Sequence, residues 1–227
     1  IPDQLIFVAP YLEGVTLSRY LYTNLKFSRF NFKPNYDLLS CLNQSIGSGL
    51  YIMHSICIQK FKDVLEIPSS NILKERYLRK FHNVASLLKA KNIDTCLIEK
   101  ATDFFISTLN YHFERENTSC IEHTDFIPQN ILITDKSEVY LYDFPNAIIG
   151  SPYKDLAHYI CSLDDMTYFK FVCREDVKEL SDKFLANYID EREFDYNLLY
   201  AFKIYVQMSS TNIILTKYLK IKNFKRA

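Results

Sequence analysis

Apolar positions recur every three to four residues along most of the chain, and the period shortens in one central stretch. From Tyr36 to about Phe61, Leu38, Leu39, Leu42, Ile46, Leu50, Met53 and Cys57 keep the longer spacing, which predicts one long buried helix. Pro68 closes the linker after it, and Ser69 or Ser70 opens a second helical pattern running to about Lys91. A third covers Asp94 to about Arg115. Further on, "SPYKDLAHYICSL" restarts a helix, and patterns from about Glu175 to Ile189 and from Tyr196 to Tyr218 finish the chain. At the start, "LIFVA" (Leu5 to Ala9) reads as a buried strand ended by Pro10. After Gly14, Thr16 or Ser18 is placed to cap a short helix in "VTLSRYLYTNL".

The central stretch is "CIEHTDFIPQNILITDKSEVYLYDF", Cys120 to Phe144. Its runs "ILI" and "VYLYDF" flank the polar turn "TDKSE", so they are expected to pair as an antiparallel hairpin. The expected fold class is therefore α+β, mainly α, with one small β element in the middle and a strand at the start. "IGSG" at Ile46 to Gly49 falls inside a helical pattern and reads as a close packing contact, not a phosphate cradle.

Composition narrows the function classes. The chain has 227 residues, enough for a real hydrophobic core, and its 27 basic and 27 acidic residues cancel. No global field draws it to nucleic acid or an anionic membrane, so neither partner is expected, and any binding comes from local sites. No apolar run approaches the ~18 residues of a membrane span, and the start lacks a signal-peptide pattern, which points to a cytoplasmic protein. Six scattered cysteines without a CxxC pair read as reduced, mostly buried thiols. The 17 Tyr and 17 Phe are expected in the core, His82 and His112 as structural residues, and Lys217, Lys220, Lys222, Lys225 and Arg226 as a solvated helix end.

The hairpin also concentrates chemistry. It brings its open ends together, setting the amide oxygen of Asn130 beside the carboxylate of Asp143. Two oxygen ligands at one spot suit Mg²⁺, which takes few protein ligands and completes its shell with phosphate and water. Asp125 lies five residues before Asn130 in a loop that Pro128 holds out of a helix, where a carboxylate can orient or deprotonate an incoming hydroxyl. His123 is better suited to holding that loop by side-chain hydrogen bonds. Any one of these residues alone is ordinary turn chemistry. The order His-x-Asp-x-x-x-x-Asn, then Asp-Phe after a hairpin, is the arrangement of phosphoryl transfer.

With those residues in that order, the chain resembles the aminoglycoside phosphotransferase and choline kinase-like family of the protein kinase-like superfamily. "HTDFIPQNIL" matches the family's HGDxxxxN loop at His123, Asp125, Pro128 and Asn130, and "YDF" matches its metal-binding Asp at Asp143. "GSPYKDLA" resembles G-x-P-x-x-D-L-A, which makes Asp155 the buried carboxylate bracing the catalytic loop. "LIFVAPYLEG" resembles the last N-lobe strand plus hinge, and "GLYIMHS" the L-x-x-L-H end of the first long C-lobe helix. Two helical patterns separate His54 from His123, as in small-molecule kinases, where the insertion helps build the acceptor site.

The resemblance implies a kinase-like fold with residues 1–14 as last N-lobe strand and hinge, and 15–227 as a helical C-terminal lobe carrying its catalytic loop and hairpin at about 119–145. It implies ATP and Mg²⁺ as cofactors, and transfer of the γ-phosphoryl group to a hydroxyl of a small molecule of aminoglycoside, amino alcohol or sugar type. Asp125 would be catalytic, with His123 and Asp155 as loop support; Asn130 and Asp143 would hold the metal. The backbone at Pro10, Tyr11 and Leu12 would meet the adenine, with Leu132 and Tyr142 lining the nucleotide. Asp164, Asp165, Glu191 and Glu193 fall in the acceptor region, where an acidic lining suits a cationic substrate. Two departures are mild: Thr124 replaces the usual Gly, and Pro145 follows "DF". The phosphate-covering loop and lysine of the N-terminal lobe would precede Ile1, and that lobe is expected in the full-length protein. Without it, the alternative is a catalytically inactive, pseudokinase-like binding or scaffold module.

Overall fold

The computed structural model describes residues 13–26, 36–56, 58, 67–114, 119–168, 173–189 and 193–224. Their order is β1 (Val15–Thr16), α1 (Leu17–Lys26), α2 (Tyr36–His54), α3 (Ser70–Ala90), α4 (Thr95–Phe113), β2 (Cys120–Glu122), a 3₁₀ turn (Pro128–Asn130), β3 (Ile131–Ile133), β4 (Val139–Leu141), β5 (Ile148–Gly150), α5 (Pro152–Met166), α6 (Arg174–Ile189) and α7 (Tyr196–Phe224). The fold is α+β and mainly α, as the periodicity predicts.

Side-chain caps set most helix starts. Thr16 Oγ1 accepts from Arg19 N (3.4 Å), Ser69 Oγ from Ile72 N (3.4 Å), Asp94 Oδ1 from Leu97 N (3.2 Å) and Asp195 Oδ1 from Leu198 N (3.0 Å). Helix α5 instead opens with Pro152, whose fixed φ suits a first helical position. Helix α3 stops where Asn92 turns left-handed (φ 59°) and its N–H bonds back to Lys89 O at 3.0 Å.

Aromatic rings fill the space between α3, α4 and α7: Phe81 stacks on Phe105 with centroids 4.1 Å apart, and Tyr77 meets Phe202 edge-on at 5.0 Å. Helices α2 and α6 approach closely at Gly47, where a Cβ would collide with the Phe184 carbonyl oxygen. "IGSG" is thus helical packing. Helix α5 carries a buried run, and its Tyr159 donates to Asn43 Oδ1 of α2 at 2.7 Å.

Two small sheets lie against the helices. β3 and β4 pair as the expected hairpin, with Ile131 opposite Leu141 and Ile133 opposite Val139. β1 adds a third strand (Val15 opposite Ile133), and β2 pairs separately with β5 (Ile121 opposite Ile149). The single expected β element is therefore two.

Other expectations shift in detail. Helix α2 ends at His54, short of Phe61, where Ser55 N is shared between Tyr51 O (2.9 Å) and Ile52 O (3.2 Å) and Ile56 N turns back to Met53 O (3.2 Å) in a tightened last turn. Helix α7 runs past Tyr218 to Phe224. The thiols are not mostly buried among the described residues: Cys120 and Cys161 are buried, while Cys41, Cys96 and Cys173 are exposed. The strand expected at Leu5 to Ala9 lies outside the described residues. No described helix is long and apolar enough to cross a membrane.

Candidate active site

Strand β2 delivers the chain into a loop that helix α5 holds from one side. Asp155, in the first turn of α5 and fully buried, accepts from His123 N at 2.6 Å through Oδ2 and from Thr124 N at 3.0 Å through Oδ1. The same Oδ2 meets His54 Nε2 at 3.1 Å, and His54 Nδ1 meets Tyr188 OH at 2.9 Å. The last residue of α2 and the end of α6 thus converge on the carboxylate that grips the loop.

The hairpin holds the loop from the other side. His123 Nε2 lies 2.9 Å from the carbonyl oxygen of Tyr142, an acceptor only, so this nitrogen carries the proton. The ring also packs against Phe144 at 4.5 Å between centroids, and its buried Nδ1 has no hydrogen-bond partner. Thr124 takes a left-handed conformation (φ 72°) and donates its hydroxyl to Asn146 O at 3.2 Å.

Asp125 follows and is exposed. Pro128 does not merely keep this loop from being helical; it opens the 3₁₀ turn that carries Asn130 to the head of β3. From there Asn130 Nδ2 donates to both Asp125 O (2.8 Å) and Asp125 Oδ2 (3.0 Å). Asn130 and Tyr142 face each other at the open end of the ladder, with Tyr142 N donating to Asn130 O at 3.2 Å. Asp143 comes one step later, exposed and left-handed (φ 68°), a conformation Asp tolerates better than most residues.

Two oxygen groups are therefore uncommitted: among the described residues, Asn130 Oδ1 and the Asp143 carboxylate take part in no hydrogen bond or ion pair. Among the described residues no group of three or more His, Cys, Asp and Glu is arranged for a metal. An all-oxygen pair that leaves most of the shell to phosphate and water fits Mg²⁺ better than a softer cation.

The other expected site residues divide. Leu132 is half-buried in β3, opposite Thr16 and Tyr140, and Tyr142 is exposed with its hydroxyl bonded to Gln129 O. Pro10, Tyr11, Leu12 and Glu191 lie outside the described residues. Asp164 pairs with Lys203 at 3.0 Å, burial and then the Asp164 charge raise the Asp165 pKa, and Glu193 is exposed. His82 bonds Leu78 O of its own helix, and buried His112 sits 3.6 Å from Asp195 Oδ2.

A second polar cluster lies outside the motifs visible in the sequence. Glu122, fully buried at the end of β2, receives Lys154 Nζ at 2.6 Å, the Tyr77 hydroxyl and, at 3.3 Å, Ser151 N. Its one trace in sequence is a charge ending the apolar run before His123.

The phosphotransferase enzyme family has a model that matches residues 44–201. Among solved structures, a Plasmodium vivax ethanolamine kinase aligns with a TM-score of 0.50 at 18% identity, over 89% of this chain and 55% of that one. An aminoglycoside-3'-phosphotransferase of type VIII aligns with 0.53 at 13% identity, over 87% and 66%. Both likenesses are of fold, and it is kinase-like. The chain spans 55% and 66% of the lengths of these two proteins. No curated protein matches it.

Proposed function

The chain belongs to the phosphotransferase enzyme family, and from that premise we propose that it supplies the catalytic loop and metal ligands of an ATP-dependent kinase that phosphorylates a hydroxyl of a small molecule. The observation that carries this reading is Asn130, whose Nδ2 ties Asp125 in place at 3.0 Å, whose backbone oxygen accepts from the N–H of Tyr142, the residue before Asp143, and whose Oδ1 has no hydrogen-bond partner among the described residues. A candidate base and two candidate cation ligands thus share one end of one hairpin.

In this reading Asp125 accepts the acceptor hydroxyl's proton, or orients it, as the hydroxyl oxygen bonds to the γ-phosphorus and the bond to the ADP oxygen breaks. Bound Mg²⁺ supplies charge neutralisation on the phosphates, and Asn130 and Asp143 would hold it. Asp155 and His123 keep the loop from moving, which matters because phosphoryl transfer depends mainly on positioning. The backbone at Pro10 to Leu12, with Leu132 and Tyr142, is the proposed nucleotide edge, and an N-terminal lobe would cover the phosphates. Asp165 and Glu193 favour a cationic acceptor of aminoglycoside or amino alcohol type over a plain sugar. A cytoplasmic location accords with such substrates.

Thermal shift of the full-length protein with ATP tests the site, with and without Mg²⁺. Wild type is expected to be stabilised by the Mg²⁺ complex, and Asp143→Ala to lose that increment. In a substrate screen, Asp125→Ala is expected to lose transfer by roughly 10²–10⁴-fold with nucleotide binding retained. Full transfer by Asp125→Ala would remove the catalytic assignment. Absence of any nucleotide response in wild type would favour an inactive binding module.

A further inference from the structure

Two pairs of consecutive residues cross the boundary between β2 and α5. Glu122 and His123 stand on one side, Lys154 and Asp155 on the other. The outer pair, His123 with Asp155, is joined through a backbone N–H at 2.6 Å. The inner pair, Glu122 with Lys154, is joined by a buried ion pair at 2.6 Å, with side chains only 0% and 7% exposed.

This ion pair has company that fixes its place. Glu122 Oε2 accepts from the Tyr77 hydroxyl of α3, and the same hydroxyl accepts from Ser151 N at 2.6 Å. Glycine is required at position 150, since a Cβ there would collide with Glu122 Oε2 and crowd the Tyr77 hydroxyl. Burial works against the Lys154 ammonium, but the adjacent Glu122 carboxylate outweighs it and the pKa ends above the ordinary lysine value. Burial, and then Glu122, push the Tyr77 hydroxyl well above its usual range, so it remains a donor. A buried ion pair is generally a poor source of stability compared with apolar residues of the same volume, whereas its short, directional contact fixes distance. Here that distance lies one residue from the contact that holds the catalytic loop.

We propose that Glu122 and Lys154 are positioning residues for phosphoryl transfer, their ion pair setting the spacing of β2 against the start of α5 and so the direction in which the loop presents Asp125. This rests on the kinase reading above. The pair works through Asp155: moving Lys154 moves its neighbour's carboxylate, which grips the amides of His123 and Thr124.

The test uses the full-length protein carrying Glu122→Gln together with Lys154→Met, which keeps shape and the acceptor for Tyr77 while removing both charges. A core variant, Phe105→Leu, provides a control of comparable melting temperature. The readouts are deuterium exchange at the His123 and Thr124 amides, and kcat and KM for Mg²⁺–ATP hydrolysis with water as acceptor. The double variant is expected to exchange those amides faster and to lose kcat on the order of tenfold to a hundredfold, with KM for ATP little changed and the control near wild type. Loop exchange and kcat equal to the control's would overturn the proposal. Should the double variant fail to fold, Glu122→Asp, which keeps the charge and withdraws it by one methylene, carries the same readouts. A wild type that hydrolyses no ATP and transfers no phosphate in the substrate screen defeats the kinase reading, and the exchange comparison still decides whether the pair holds the loop.

Discussion

Thr124 occupies a backbone conformation that β-branched residues avoid. At φ 72° its Cβ crowds the backbone, a strain of about 1–3 kcal/mol for a non-glycine residue. The resembled loop pattern has Gly at this place, and the conformation explains why. The Thr124 hydroxyl recovers part of the strain through Asn146 O at 3.2 Å, and Gly would add about 0.5–1 kcal/mol of chain entropy. With the strain in the upper part of its range it outweighs the two together, so Thr124→Gly is expected to stabilise by up to about 1 kcal/mol and raise Tm by up to roughly 2–4 °C, read by thermal denaturation. A lower Tm would mean that the Asn146 bond holds the loop more strongly than the strain opposes it. The residues of the loop were legible in the sequence because their types and order carry chemistry. The φ at 124 was not, because Thr alone gives no sign of a left-handed turn.

Two glycines in α2 separate packing from propensity. At Gly49 an added Cβ meets nothing within 4 Å, so Gly49→Ala is expected to gain about 0.5–1 kcal/mol from reduced unfolded-state entropy. At Gly47 the same methyl would collide with the backbone of α6, which cannot turn aside as a side chain can. Gly47→Ala is expected to destabilise by about 1–3 kcal/mol in denaturant unfolding despite the same propensity gain, and a stabilised Gly47→Ala would show that α6 gives way freely. The consequence reaches the site, because α6 carries Tyr188, which sits 2.9 Å from His54. Helices such as α2 to α4 were legible because each repeats its apolar spacing over many residues, and α3 and α4 also carry the cap residues Ser69 and Asp94. β1, with two residues, and the β2–β5 pair, with three each, were not, because so short a strand shows no period and its partner is distant in sequence. The hairpin was legible because its polar turn joins neighbours. The Glu122–Lys154 pair spans 32 positions and only the packing of β2 on α5 brings it together.

At the scale of the whole molecule, the cancelling 27 basic and 27 acidic residues mean that pH acts through particular groups, not through overall repulsion near neutrality. His158 is the clearest of these. It lies one turn beyond Asp155 on α5, and its pKa is lowered from 6.5 to about 4, first by burial and then by the Lys154 charge. Asp155 and Asp125 pull it upward and His123 pulls it down further, with the balance left on the low side. The folded state therefore holds a neutral imidazole where the unfolded chain takes up a proton. Between about pH 6.5 and 4 the unfolded state binds more protons, so stability is fully present above 6.5 and falls as the pH drops toward 4. The group's full contribution is at most about 3 kcal/mol, less to the extent that solvent reaches the half-buried ring. Urea unfolding at steps between pH 7 and 4 reads it directly: wild type is expected to lose stability across that window, and His158→Gln, which cannot take the proton, to lose less by that amount. Parallel curves for the two proteins would show that the ring titrates alike in both states, and that the acid sensitivity belongs to the carboxylates alone.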